Sequence, residues 1–371
     1  MTRIAVLNAG TATLKAAVLD VEAAGGAAEV YREEHDWSAA APAAAVVDAA
    51  LRGIDAPFAA IGHRVVHGGA ALDRTVRIDA RVEDAIEALV PLAPLHNARA
   101  LEVVRAARAA FPEVPAFAAF DTAFHAGRAA ESMCYALPRE LVEAFDLRRY
   151  GFHGIAHASL LQALARALAR PAAELSAVTL QLGSGCSACA IENGRSVETS
   201  MGYTPLEGLV MASRSGDIDP AIVLRLARAG YALDDIEEQL TRHSGLAALA
   251  GTADMRAILA AEARGDPGAA LALRVFVRRI VSTVGAYFTL LHGRGALVFG
   301  GGIGTHAAEI RRRVAAGLAA WNVALDPERN AANAPGRISA AGSRDVLVAR
   351  TDEESIVAQE VARSLDAAAC A

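Results

Sequence analysis

Lysine is nearly missing from this chain. Of 36 cationic residues among 371, Lys15 is the single lysine and all others are arginine. Cysteine is scarce as well, at four residues, which argues against a disulfide framework. Aromatic residues make up only 5%. No apolar run approaches the ~18 residues that cross a bilayer: the longest Ala/Val stretch, residues 39–47, holds Pro42 and stops at Asp48. The N-terminus has no long apolar segment of the signal-peptide kind. Positive charge is not in excess; the net charge is −6, so neither nucleic acid nor an anionic membrane surface is an expected partner. A cytoplasmic location is expected. What is abundant is alanine with arginine, in a chain that is 54% hydrophobic with mean hydropathy +0.28, and that excludes intrinsic disorder. At ~100–200 residues per domain, the length suits two domains.

Two hairpin-like units stand half a chain apart. Residues 4–7 and 14–19 read as strands around the turn NAGTAT, which carries Asn8, Thr11 and Thr13. Residues 177–182 and 187–191 read as strands around Gly183, Ser184 and Gly185. A repeated strand, glycine/hydroxyl turn, strand pattern points to a duplicated domain. A third glycine turn, GGGIG at 300–304, follows a short strand and precedes a helical run over about 307–320, the order of elements that cradles phosphate. Helices are expected at 80–90, 97–110, 155–170, 220–229, 235–240 and 267–291, and from Glu353 to the C-terminus. Alternating strands and helices make the class α/β. The expected division is residues 1–123 plus 353–371 as the first domain and 124–352 as the second.

Several segments hold chemistry. The first turn offers backbone N–H groups, hydroxyls, the Asn8 amide and Lys15, an inventory that suits phosphate; the bland alternative is an ordinary hairpin turn. In a chain that otherwise uses arginine, a retained lysine fits a role as a compact point charge. Arg64 and His67 lie in HRVVHGG at 63–69, His96 follows Pro94, Asp121 and His125 flank Phe124, and His153 and His157 stand at i,i+4. No Glu sits between the last two as in H-E-x-x-H, so zinc is disfavoured. Cys186 and Cys189 form a lone C-x-x-C, read as two small residues of a buried strand. Arg214 lies in a polar turn, whereas Asp219 before Pro220 reads as a helix N-cap. Thr351, Asp352, Glu353 and Glu354 read as a helix start with acids in the first turn, or as a place for a Mg²⁺ ligand.

Taken together, VLNAGTATLK (6–15), GHRVVHGG (62–69), PLAPLHN (91–97), FDTAFH (120–125), RYGFHGIAH (149–157), TSMGYTPLEGL (199–209), SRSGDIDP (213–220), GGGIG (300–304) and TDEE (351–354) resemble the acetate kinase family, in the family's order and over nearly the whole chain. That family belongs to the actin, sugar-kinase and heat-shock-chaperone ATPase superfamily. The resemblance implies two duplicated ribonuclease-H-like domains with a central cleft, and transfer of phosphoryl from ATP to acetate with Mg²⁺ or Mn²⁺. It implies a homodimer. Carried over residue by residue, Asn8 and Glu353 resemble the magnesium-site residues. Arg64 and Arg214 resemble the arginines that hold carboxylate and phosphoryl group, Asp121 the acid near the acetate, and His153 the hydrogen-bond donor to the transition state. His96 resembles a second histidine of the cleft, with His157 placed behind it. Val66, Leu95, Phe152 and Pro205 resemble the pocket for the acetate methyl. Lys15, the Gly183, Ser184, Gly185 turn, Asp254, Arg256 and the Gly301, Gly302, Ile303, Gly304 turn resemble the ATP side.

This chain departs from the family mainly on the nucleotide side. It has QLGSG at 181–185 where the family typically has H-L-G-N-G, Ala12 in place of a serine, and Thr305 with His306 in place of Glu-Asn; its GTADMR segment at 251–256 is one residue shorter. The acyl side is intact. Three readings follow: an acetate kinase; a propionate or other short-chain carboxylate kinase, with a different phosphoryl donor left open; and a non-catalytic nucleotide-binding relative.

Overall fold

The computed structural model describes the chain apart from residues 11–12, 23–25, 38–40, 53–56 and 370–371, and apart from the side chains of Arg52, Pro94, Leu95, Ala368 and Ala369. Among the described residues, twelve strands form two six-stranded sheets. The first holds β1 (Thr2–Ala9), β2 (Thr13–Val21), β3 (Ala27–Asp36), β4 (Ala60–Val65), β5 (Val76–Arg77) and β6 (Ala116–Phe120) in the order β3-β2-β1-β4-β6-β5. The second holds β7 (Ala177–Leu182), β8 (Cys186–Glu192), β9 (Arg195–Thr199), β10 (Ala296–Gly300), β11 (Gly336–Arg337) and β12 (Val346–Val348) in the order β11-β12-β10-β7-β8-β9. Read from the hairpin outward these are one topology used twice. An antiparallel three-strand meander is followed by two parallel strands and a short antiparallel edge. The duplication seen faintly in two turns therefore extends to every strand.

Two compact units contain these sheets: Met1–Ala126, His153–Ser159 and Asp352–Ala371 form the first, and Gly127–Phe152 with Leu160–Thr351 the second. The expected division differs by a few residues at two boundaries, 124–126 and Asp352, and chiefly at 153–159, which it gave to the second domain. These residues join the first because Gly154 N donates to Asp121 O at 2.9 Å and Ile155 is buried in the first unit's core.

In the first unit β1 is buried on both faces, as a central parallel strand must be. One face, with Ile4, Val6, Ala17 and Leu19, is covered by Ile356, Val357 and Val361 of the C-terminal helix Glu353–Ala369. Gly62 permits that contact, since a Cβ there would stand 2.8 Å from Val357 and 3.0 Å from Val361. The other face packs against Val47 and Leu51 of helix Ala43–Arg52, against Val103 and Ala107 of helix Pro94–Ala110, and against Trp37. In the second unit helix Pro267–Leu290 buries Leu273, Phe276, Ile280, Val284 and Phe288 at helical spacing. Asp266 caps it by accepting from Ala269 N, with Pro267 at its first position. Among the described residues no helix is long and apolar enough to cross a membrane.

Several element boundaries differ from expectation. The helix expected from 97 begins at Pro94, so His96 and Asn97 lie in its first turn. The helix expected over 80–90 ends at Ala88, and Pro91 turns the chain into the short 3₁₀ segment Val90–Leu92. The glycines after β10 are not a turn before a helix: Gly301–His306 is itself a short helix, broken at Ala307 (φ −103°, ψ 79°) before a second helix, Ala308–Gly317.

Candidate active site

The functional groups of the first unit collect where its parallel strands end. Asn8 of β1 stands opposite Arg64 of β4 in the parallel register. Asp121 follows β6, its backbone N–H bonded to Val65 O at 3.0 Å. Carboxyl ends of parallel strands are where α/β sheets place ligands. The C-terminal helix brings Glu353 and Glu354 to the same place.

Arg64 is the hub. Its Nε and Nη2 donate to the two oxygens of Asp121 at 3.0 and 2.7 Å, a bidentate pair with the carboxylate almost wholly buried. Its Nη1 donates to Asn8 Oδ1 at 3.2 Å and lies 3.0 Å from Glu353 Oε2. Asn8 Nδ2 donates to Glu353 Oε2 at 3.0 Å and to Glu354 Oε1 at 2.8 Å. Burial pushes the Glu353 carboxyl above its ordinary range; the pull of Arg64 opposes this, while Asp121 and Glu354 push the same way. Burial would lower the Arg64 guanidinium, but Asp121 and Glu353 outweigh it and leave it raised.

This donor set fits a hard divalent cation. Carboxylate and amide oxygens are the ligands Mg²⁺ accepts, and the crowding of Asp121, Glu353 and Glu354 is a negative excess that a cation relieves. Among the described residues no group of three or more His, Cys, Asp and Glu is arranged as a metal cage. A cation here would thus keep water and phosphate oxygens among its ligands, as magnesium does.

His153 adjoins this cluster through the backbone. It has φ +58°, a conformation rare for a side-chain-bearing residue and frequent at functional sites. The following residue must be glycine: a Cβ on Gly154 would lie 2.2 Å from Asp121 O. Four residues on, His157 is fully buried, its ring 5.8 Å from that of His125. Burial holds it well below the usual imidazole range, and His153 adds to the effect. His96 is half-buried in the first turn of its helix, Val66 is buried beyond β4, and Lys15 is exposed on β2 opposite Asn8. Thr11, Ala12 and the Leu95 side chain lie outside the described residues.

In the second unit Arg214 Nη1 donates to Pro205 O at 3.2 Å and lies 3.9 Å from Met211 Sδ. Among the described residues no carboxylate pairs with it, and burial lowers its guanidinium. A guanidinium without a carboxylate partner keeps donors that suit an anion. Phe152 is buried and Pro205 half-buried. The Gly183, Ser184, Gly185 turn closes β7 onto β8, with Gly183 N donating to Gly185 O at 3.0 Å and Ser184 exposed. Gly301 has φ +74°, and a Cβ on it would meet Leu182 O at 2.4 Å. Asp254 and Arg256 lie at the surface. Asp254 caps helix Met255–Ala263 through Arg256 N at 3.0 Å, and the two side chains pair at 3.3 Å.

Two departures from the family pattern have local structural work. Gln181 Oε1 accepts from Thr351 Oγ1 at 2.8 Å, and buried Thr305 donates to Ala349 O at 3.4 Å. Cys186 and Cys189, three apart on β8, project to opposite faces of the sheet. Burial pushes both thiols up to about 12, which disfavours the thiolate form that redox and metal chemistry use. Sequence reasoning passed over Arg32, which pairs with Glu354, and Gly154; only the short glycine step after His153 hinted at the second.

A meander and two parallel strands, used twice, with an oxygen-rich cluster at the strand ends, define an α/β protein of the duplicated ribonuclease-H-like, actin-like ATPase fold. The solved structure of a Porphyromonas gingivalis acetate kinase is 30% identical over 98% of this chain and 100% of that one, with a TM-score of 0.87. That of a propionate kinase from Francisella tularensis subsp. tularensis SCHU S4 is 34% identical over 97% and 99%, with a TM-score of 0.85. An acetate kinase of Leifsonia xyli subsp. xyli is 46% identical, covering 85% of this chain and 80% of its own length. A family profile described as the Acetokinase family matches residues 27–359. The chain belongs to the acetokinase family.

Proposed function

We propose that the protein transfers phosphoryl reversibly from ATP to acetate, giving acetyl phosphate and ADP, with Mg²⁺ or Mn²⁺ as the divalent cation. The observation that carries this reading is Arg64, locked by Asp121 beside Asn8 and Glu353, in a chain of the acetokinase family. Phosphoryl transfer requires positioning and neutralisation of charge more than covalent help. Acetate is already ionised at neutral pH, so its oxygen attacks the γ-phosphorus in line without a strong base. Asp121 spends both oxygens on Arg64 and acts as its orienting partner. Arg64 and Arg214 bind the carboxylate and the transferring group, and His153 donates a hydrogen bond to an equatorial oxygen. Asn8 and Glu353 are the residues that would hold the cation, which when bound neutralises phosphate oxygens.

Val66, Leu95, Phe152 and Pro205 are assigned to the acetate methyl, and His96 and His157 to positioning near the transition state. Lys15, the 183–185 turn, Asp254, Arg256 and the 301–304 segment are assigned to ATP. The substrates are small molecules, and a cytoplasmic homodimer is the expected working form. A second reading, propionate as the preferred acid, is favoured by the likeness to the Francisella tularensis propionate kinase; one methylene changes binding by only ~1–3 kcal/mol.

The test is the hydroxamate assay across acetate, propionate and butyrate, with ATP, other nucleotides and pyrophosphate as donors. Acetohydroxamate formed from ATP, acetate and Mg²⁺ supports the assignment. A higher kcat/KM for propionate shifts it to the second reading. No hydroxamate with any donor, despite tight ATP binding, overturns the enzymatic reading in favour of a nucleotide-binding relative.

A further inference from the structure

Glu207 lies two residues after Pro205, whose carbonyl oxygen accepts from Arg214. One Glu207 oxygen accepts from Arg149 Nη1 and the other from the Tyr135 hydroxyl. Both partners reach further into the same segment. Arg149 Nη2 donates to Thr199 O at 3.1 Å, and the Tyr135 hydroxyl oxygen accepts from Tyr203 N at 2.9 Å. Gly202 O, between them, accepts from Tyr150 N at 3.0 Å and from Gly151 N at 3.2 Å. A Cβ on Gly202 would run into Glu207 Oε2 and the Tyr135 hydroxyl. All of these residues belong to the second unit.

The segment 199–207 is thereby tied at both ends to Tyr135 and to residues 149–151. Pro205, close to one of those ends, brings no N–H of its own to fix it. Its carbonyl is nevertheless what orients Arg214. Among the described residues Arg214 Nη1 donates to that oxygen at 3.2 Å and to Met211 Sδ at 3.9 Å. The loop that carries Arg214 is closed separately. Gly208 N donates to Asp217 Oδ1 at 2.7 Å, and Asp217 N donates to Gly208 O at 3.0 Å. Glu207 stands at the junction of the two stretches, half-buried. Both of its hydrogen bonds are charge-assisted. Burial would lower the Arg149 guanidinium, but Glu207 outweighs it and leaves it raised; burial, then Glu207, raises the Tyr135 phenol.

We propose that Glu207 is a positioning residue for Arg214, clamping the 199–207 segment to Tyr135 and Arg149 so that Pro205 O keeps the guanidinium in one direction. This rests on the phosphotransferase reading above, in which Arg214 binds the reacting groups. Glu207 acts through the loop and not on the reacting atoms.

The experiment is a double-mutant cycle in the hydroxamate assay with ATP, acetate and Mg²⁺. Glu207→Gln and Tyr135→Phe are made in the wild type and in Arg214→Ala, and a thermal midpoint is measured for each. Glu262→Gln is the control, since Glu262 pairs with Arg313 at 2.6 Å in the same unit and stands outside this network. Expected are a kcat about ten-fold lower for Glu207→Gln and about three-fold lower for Tyr135→Phe, because small misplacements of a clamping group are costly to catalysis. In the Arg214→Ala background each should change kcat by less than about two-fold, since the group they position is gone. Glu262→Gln should keep wild-type kcat. If Glu207→Gln fails to fold, Tyr135→Phe, which loses only a hydroxyl, carries the same cycle. Wild-type kcat in folded Glu207→Gln overturns the proposal. So does a loss that persists undiminished in the Arg214→Ala background, because Glu207 then acts by another route. A wild type that forms no hydroxamate with any donor removes the functional reading and this inference with it.

Discussion

At the scale of single residues, the two arginines of the proposed site differ in kind, and stability separates them. Arg64 is held by Asp121, Asn8 and Glu353; removing it leaves buried carboxylates without their counter-charge. Arg64→Ala should lower kcat by ~10²-fold or more and destabilise the fold by about 3 kcal/mol or more, read from urea midpoints. Arg214 has a carbonyl partner and no carboxylate among the described residues. Arg214→Ala should lose activity comparably while the midpoint stays or rises; a marked loss of stability would count against an anion-receiving role. His63 tells a further story. It is buried on β4, and among the described residues neither of its ring nitrogens has a hydrogen-bond partner; burial, helped by Arg108, pushes it down to about 3. The unfolded chain then binds a proton between about pH 6.5 and 3 that the folded chain refuses. Stability is therefore lost as pH falls through that window, with a slope of up to about 1.4 kcal/mol per pH unit. His63→Leu should flatten the acid limb of the urea midpoint against pH; an unchanged limb refutes the assignment.

Elements set the geometry that residues alone do not. Gly301 opens its short helix with φ +74° and stands against Leu182 O, the residue just before the Gly183, Ser184, Gly185 turn. Arg311 holds the far end of that helix. It is fully buried and spends its five N–H groups on Gly304 O, Thr305 O, Asn330 Oδ1, Asn330 O and Asn333 Oδ1. The segment is thus pinned at both ends. Gly301→Ala should cost ~1–3 kcal/mol of stability and raise KM for ATP about ten-fold, while acetate KM moves little. Equal changes in both constants would argue that the segment serves the fold and not the nucleotide. The strand and helix periods of these elements were legible in the sequence. Their ends were not, because Pro91 and Pro94 act on the backbone in opposite ways, one ending a helix and one starting it.

For the whole molecule, the first unit is built from three separate stretches of chain. The last of them covers a sheet laid down by residues 2–21 and 60–65. Ile356, Val357 and Val361 are buried on that face. At ~1.5–3 kcal/mol for each large aliphatic side chain, they are worth about as much as a typical net stability of ~5–15 kcal/mol. A chain ending at Thr351 should therefore fail to fold its first unit, seen as loss of the near-ultraviolet signal of Trp37 and rapid proteolysis within residues 1–120. A truncated chain that keeps a cooperative transition there would contradict the packing.

The sequence by itself determined the α/β class, the two hairpin turns that betray a duplication and the acetokinase motifs, and from those motifs come the proposed roles of Asn8, Arg64, Asp121, His153, Arg214 and Glu353. These are local facts, written in residue type, spacing and order. Tertiary structure decided that 153–159 belong with the first unit, because a glycine lets two backbones approach within hydrogen-bond distance. It decided that Gln181 and Thr305 bond to Thr351 and to Ala349 O, and that Cys186 and Cys189 face apart. It also decided that Arg32 reaches Glu354 across 322 residues of chain. A pairing over that span leaves no periodicity to read; only the folded sheet, with the helix laid on its face, brings the two charges together.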